Sequence, residues 1–208
     1  MERRPSLRLT LLGVGAMRSP RYLPAGLLVE YRDRRVAIDG GPEVRIGGRL
    51  DAWLVTDEGS ELRRELRAAA RRRSLSFGVT AFAAVGLRVE PQQVVHTSHP
   101  AFGYAIEAAG RRAVWAPEFW AFPRWAAGAD LMFAEAAGWD RPIRFAGGVG
   151  GHMAALDVAR EARARGVKRL VFAHIGRPSI RARDAGERPA FGEWGDDGRA
   201  YRLRVRAG

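Results

Sequence analysis

Apolar residues recur along the chain in short blocks, and most of the blocks are too short for helices. Residues 7–13, 26–31 and 35–39 read as strands rich in Leu, Val and Ile. The first ends in the turn Gly13-Val14-Gly15, and Asp33-Arg34 makes a tight hairpin between the other two. An apolar strand over 50–56, interrupted by Asp51, leads through the loop Asp57-Glu58-Gly59-Ser60 into a helix over 61–73. The buried stripe of that helix is Leu62, Leu66 and Ala69 or Ala70, and Ser60 can cap its start. Strands follow at 79–85, 93–96, 103–106 and 112–115, with a hairpin turn at Ala108-Ala109-Gly110-Arg111. Beyond them lie strands over 130–135, 168–173 and 201–205, and a helix over 152–165 that stops at Gly166. Many hairpins and few helices predict helices packed on mixed or antiparallel sheets, not a doubly wound parallel sheet. No repeat, linker or low-complexity tract divides the chain, so 1–208 reads as a single domain.

The chain has 208 residues, enough to bury a sizeable core. It contains no cysteine, which excludes disulfides, thiolate zinc sites and a cysteine nucleophile together. A metal must therefore be held by His, Asp or Glu. No apolar run reaches the length of a membrane span, and the apolar stretch 9–14 is too short for the core of a secretory signal, so a soluble, cytoplasmic protein is expected. The net charge is +12, and all but Lys168 of the 35 basic residues are arginine. That excess fits a nucleic-acid or phosphate partner. It fits equally a compositional bias that fills solvated faces with arginine, because only the helix over 61–73 concentrates it.

The four histidines have a more informative distribution. His96 and His99 follow the strand ending Val94-Val95, His152 follows the loop Gly147-Gly148-Val149-Gly150-Gly151, and His174 closes the strand Leu170-Val171-Phe172-Ala173. Strand ends and helix starts lie at the rim of a sheet, where side chains from distant segments converge. Carboxylates occupy similar places: Asp57, Glu58 and Glu61 follow the strand ending at Thr56, and Glu118 follows Val114-Trp115-Ala116. Three or four such nitrogen and oxygen donors at one point would bind a hard or borderline metal.

Several segments resemble the metallo-β-lactamase fold, most closely its ribonuclease Z and phosphodiesterase branch. Thr10-Leu11-Leu12-Gly13-Val14-Gly15, Gly26-Leu27-Leu28-Val29 and Val36-Ala37-Ile38-Asp39-Gly40-Gly41 are similar to its opening strands. His96 through Phe102-Gly103-Tyr104 resembles a metal-binding His segment, and Val114-Trp115-Ala116-Pro117-Glu118 the strand that carries a bridging Asp. Gly151-His152-Met153 resembles the segment of the catalytic His, and Val171-Phe172-Ala173-His174 that of the final metal His. The resemblance covers roughly residues 7 to 175 and implies an α/β, four-layer αββα sandwich. The family's defining His-x-His-x-Asp-His is lost: counted from Thr56, its positions hold Asp57, Gly59, Glu61 and Leu62. A dinuclear zinc site therefore cannot form.

What the resemblance implies is a reduced site. One divalent metal, Zn or Mn, would be held by Asp57 or Glu61 with His96, Glu118 and His174, or the pocket would hold no metal. Glu61 or Asp57 would orient or deprotonate a water, and His152, expected at a helix start, would face the leaving group. Arg177, just after His174, would pair with a phosphate. The expected function is a metal-dependent hydrolase of a small-molecule or nucleotide phosphodiester or related ester. Two other functions stay open: a non-catalytic ligand- or nucleotide-binding protein of the same fold, and a nucleic-acid-binding protein that uses the basic helix.

Overall fold

Two mixed β-sheets face each other across one apolar core in the computed structural model, which describes residues 6–60, 62–148 and 150–204. In chain order the strands and helices begin with β1 (Ser6–Gly13), β2 (Gly26–Tyr31), β3 (Arg34–Asp39), β4 (Ala52–Leu54), α1 (Arg63–Arg72) and β5 (Phe77–Gly78). Then come β6 (Phe82–Ala84), β7 (Leu87–Val94), β8 (Ala101–Ala108), β9 (Arg111–Ala116), β10 (Leu131–Ala136), β11 (Ile143–Arg144) and β12 (Gly151–His152). The chain closes with α2 (Ala155–Ala164), β13 (Leu170–Ile175), α3 (Arg177–Asp184), β14 (Glu193–Trp194) and β15 (Ala200–Arg204).

The first sheet has the order β15-β1-β2-β3-β4-β5 and the second β14-β13-β10-β9-β8-β7-β6. Each contains both parallel and antiparallel pairs. Strand β1 shows the half-buried alternation: Leu7, Leu9 and Leu11 are fully buried between the sheets, while Arg8 is exposed. Strands β10 and β13 are buried along their whole lengths. The first sheet covers one face and α2 covers the other, through Ala155, Val158, Ala159 and Ala162. On the opposite side of the molecule α1 packs Leu66 and Ala70 onto Leu28, Ala37, Trp53 and Val55 of the first sheet. The layers are thus helix, sheet, sheet, helix, the sandwich that the resemblance implied. Residues 7–13 and 168–173 lie in opposite sheets.

Several element bounds differ from the sequence expectation. The helix expected over 61–73 is α1, Arg63–Arg72, and Glu61 lies outside the described residues, as does Val205 at the end of the last strand. The helix expected over 152–165 starts only at Ala155, so His152 is not at a helix start. It sits instead in the two-residue strand β12, opposite Ile143. The strand expected over 79–85 shrinks to β6, with β5 ending just before it at Gly78, and that over 93–96 is the end of the longer β7, which contains Pro91. Helix α3, which opens with Arg177-Pro178, has no counterpart in the sequence reading; proline there fits the first helical turn.

A carboxylate is among the polar groups that join the two sheets. Asp39, at the end of β3, accepts hydrogen bonds from the Thr56 backbone N–H at 2.7 Å and from the indole Nε1–H of buried Trp115, on β9, at 2.8 Å. Burial pushes the Asp39 carboxyl up to about 6, against the lowering effect of those same bonds. Replacing Asp39 by Ala would leave the Trp115 and Thr56 donors unpaired in the interior, a loss of about 3 kcal/mol in urea unfolding. The folded carboxyl ionises near pH 6 and the unfolded one near its usual 3.8, so stability from this group is complete below about pH 4 and falls as pH rises through 6. The stability gap between the wild type and Asp39→Ala should accordingly be wider at pH 4 than at pH 7; an equal gap at both would contradict this account.

Candidate active site

Strands β9, β10 and β13 run parallel, so their C-terminal ends reach the same rim of the second sheet. Glu118 follows β9, Glu135 lies next to the end of β10, and His174 lies next to the end of β13. His96 follows β7 and arrives at the same rim. A β-bulge sets the last of these side chains. Ala134 pairs with Phe172 and Ala136 with Ile175, so two residues, Ala173 and His174, stand opposite the single Glu135. His174 has φ +60, an uncommon conformation for a residue with a side chain, and the bulge re-aims its imidazole toward the rim.

The result is a chain of close contacts. Glu118 places Oε2 2.9 Å from His96 Nε2 and Oε1 3.1 Å from His174 Nε2. Glu135, fully buried, has Oε1 3.2 Å from His174 Nδ1 and Oε2 2.8 Å from His152 Nδ1. The same two oxygens accept the backbone N–H groups of Ala137 at 2.9 Å and Phe119 at 3.1 Å. His96 Nδ1–H donates to the Gly151 carbonyl at 2.9 Å, and the Gly151 N–H donates back to the His96 carbonyl at 2.8 Å. This mutual grip requires glycine in the adjoining loop. Gly150 has φ +76, and a Cβ there would stand 1.9 Å from the His96 carbonyl oxygen.

These contacts assign the imidazole tautomers. Nδ1 of His96, His152 and His174 each faces an acceptor oxygen and so carries a hydrogen. In the neutral rings, Nε2 is then a lone pair. At His96 and His174 that lone pair faces a carboxylate oxygen of Glu118, an arrangement that needs a positive charge between them. A proton or a metal ion supplies it. Without a metal, burial alone would lower the His174 imidazole, but Glu118 and then Glu135 hold it protonated up to about 10. His96 moves up as well, Glu118 outweighing the opposing effect of burial. Burial would raise both carboxyls; His152 and His174 instead pull Glu135 down to about 2, and His174 and His96 hold Glu118 well below the usual carboxylate range.

Each of His96 Nε2 and His174 Nε2 stands about 3 Å from its own oxygen of Glu118, and each imidazole is fixed by a partner on its other nitrogen, as metal-binding imidazoles are. Glu135, His152 and His174 also offer ligand atoms within 4.8 Å of one another. Each Glu135 oxygen, however, is already taken by an imidazole and a backbone N–H, which makes that carboxylate an orienting group. Glu118, about one-third exposed, has its oxygens turned only toward the two Nε2 atoms and the cleft.

The cleft, of about 660 Å³, is lined by Asp57, Glu118, His96, His152, His174 and Arg177 among others. Asp57 thus shares a wall with the other sequence-derived candidates, but its oxygens are engaged locally: Oδ1 accepts the Gly59 N–H at 2.6 Å and Oδ2 meets His99 Nε2 at 3.0 Å. His99 therefore belongs with Asp57, and His96 with the central cluster. A side chain at position 59 would put its Cβ 3.1 Å from His99 Nε2, so His99 occupies space that Gly59 leaves open. Leu62 packs against the apolar layer beneath α1 and has no donor to offer. Glu135 is the member that sequence reading missed. Its signal was a lone carboxylate in the otherwise apolar run Leu131-Met132-Phe133-Ala134, a residue that burial obliges to find partners.

A family model described as the beta-lactamase superfamily domain matches residues 42–175. Among curated protein sequences none matches. Solved structures do. A new diphosphatase from the PhnP family superposes with TM-score 0.73 at 18% identity, covering 96% of this chain and 98% of its own. The metallo-beta-lactamase fold protein YhfI from Bacillus subtilis gives 0.72 at 14%, covering 95% and 100%. The short form of human tRNase Z gives 0.64 at 15%, covering 96% and 100%. At these identities the likeness is one of fold. The family match spans most of the chain, including the segments that supply His96, Glu118, Glu135, His152 and His174, and the chain belongs to the beta-lactamase superfamily with a metallo-β-lactamase fold.

Proposed function

We propose that the chain is a hydrolase of a phosphodiester or related ester, with one divalent ion, zinc or manganese, held by His96, Glu118 and His174. The observation that carries this reading is the Glu135–His152 pair next to that donor set. His152 uses Nδ1 for Glu135, which leaves Nε2 as the nitrogen available to the cleft. Its ring centroid lies 4.8 Å from that of His96 and 5.2 Å from that of His174. The likeness to a PhnP-family diphosphatase and to tRNase Z supports a phosphoester as the substrate class.

An ion bound at His96, Glu118 and His174 would polarise the ester oxygen and acidify a water. Asp57, on the cleft wall with its Oδ2 against His99, or Glu61, which lies outside the described residues, would receive the proton of the attacking water. His152 donates its Nε2 proton to the departing oxygen as the phosphorus–oxygen bond breaks. Glu135 fixes the ring orientation and stabilises the imidazolium before that transfer. Arg177, exposed at the start of α3, lines the cleft and pairs with the phosphate.

One observation favours a second reading, a binding protein without turnover: of the family's ligand positions, Gly59 and Leu62 offer no donor. Metal analysis after expression in zinc- and manganese-supplemented medium separates the two, about one ion per chain supporting the hydrolase and none supporting the binding protein. His152→Ala is expected to keep the metal and lower turnover of a phosphodiester by about 10²–10⁴-fold. His174→Ala should lose the ion; a His174→Ala protein that retains metal and activity sinks the site assignment. Glu135→Gln swaps an acceptor for an amide facing two imidazole N–H groups. About 10–100-fold of turnover should disappear, and circular dichroism would check that the fold persists.

A further inference from the structure

A groove of about 710 Å³ runs along α1, lined by Arg63, Arg64, Arg67, Arg71 and Arg72. It shares Gly59 and Ser60 with the wall of the active-site cleft, so the two depressions adjoin. Arg63, Arg67 and Arg71 follow one another at i, i+4 and i+8, so they stack on one face at steps of about 6 Å. Like charges at this spacing destabilise an isolated helix.

Several arginines elsewhere in the chain stand against carboxylates. On α2, Arg160 pairs with Asp157 at 2.7 Å and Arg165 with Glu161 at 2.9 Å. Arg169, Arg183 and Arg199 likewise meet carboxylates. On α1, Arg63 pairs with Glu58 and Arg67 lies over the Phe77 ring at 5.7 Å. The side chains of Arg64, Arg71 and Arg72 make no ion pair or hydrogen bond with any described residue, and all three are exposed. A compositional bias toward arginine explains the number of these residues. It does not by itself bring five of them to line one groove, where Glu58 is the one carboxylate among the described lining residues.

We propose that the α1 groove docks the phosphate backbone of a single-stranded nucleic acid. A groove lined by five guanidiniums, three of them exposed and without an ion pair to any described residue, complements a chain of phosphates, each bound phosphate releasing counterions to solution. A single strand fits because the groove is walled by one helix and opens into a cleft, whereas a duplex would have to lie across the face. The passage of that strand into the cleft rests on the hydrolase reading; docking on α1 does not.

The test is fluorescence anisotropy of a labelled single strand of about 12 nucleotides, read as a function of salt. Arg64, Arg71 and Arg72 would be changed together to Gln, which keeps helix propensity. A second triple variant, Arg88→Gln with Arg160→Gln and Arg188→Gln, removes the same charge away from the groove. The α1 variant should bind about tenfold or more weakly, with a log–log salt slope shallower by about 2, and the second should stay within about twofold of wild type. Equal weakening of both variants, an unchanged α1 variant, no binding by the wild type, or a duplex bound as tightly as the strand would each overturn the proposal. His152→Ala should bind like wild type, so loss of turnover and loss of docking read out separately.

Discussion

The carboxylate of Glu135 is the hinge on which the site's geometry turns. It is fully buried, and it accepts two backbone N–H groups while facing one nitrogen each of His152 and His174. A charge in that position is tolerable only with all of those partners in place. They come from four separated stretches of chain, so the carboxylate binds the segment after β9, the end of β10, β12 and the end of β13 into one arrangement. The bulge between β10 and β13 completes it, because a regular pairing there would not set two residues against Glu135.

In the proposed hydrolase, metal affinity and acid–base chemistry would consequently be linked through one side chain. Glu135 orients His174, whose other nitrogen meets Glu118, and it orients His152, whose other nitrogen is left to the cleft. A disturbance of Glu135 reaches both. Glu118 adds a second linkage. As a glutamate it has one more methylene than the aspartate that the family resemblance implies, and it spans from His96 to His174. The loss of the first motif is compensated in space rather than in ligands: His99 stands beside Gly59, and Leu62 packs against the outer apolar layer.

Much of the architecture was legible in the pattern of apolar positions. The alternation of Leu7, Leu9 and Leu11 and the continuous apolar runs of β10 and β13 report directly on how many faces of each strand are buried. His96, Glu118 and His174 could be found because each follows or closes such a strand. Glu135 was hidden by its place inside a strand, since nothing local reveals which distant groups will satisfy a buried carboxylate. The position of His152 was misread for a related reason. The Gly-rich loop and the apolar stripe after it are local signals for a helix start, while the pairing of Gly151 and His152 with Ile143 and Arg144 depends on tertiary contact. Short strands such as β5 and β14 are likewise created by their neighbours, not by their own composition.

The pairing of β1 with β15 has a consequence for synthesis. Ser6 stands opposite Arg204, so the chain's two most distant described strands are neighbours. β1 can form a hairpin with β2 early, but its other edge has no partner until residues near 200 have left the ribosome. At common translation rates that interval is roughly 10–40 seconds. Throughout it, a leucine-rich strand with an open row of N–H and C=O groups is available to any other nascent edge. The nascent protein should therefore depend on chaperones that shield its N-terminal hairpin, a dependence that the finished sandwich, with that edge closed, no longer shows.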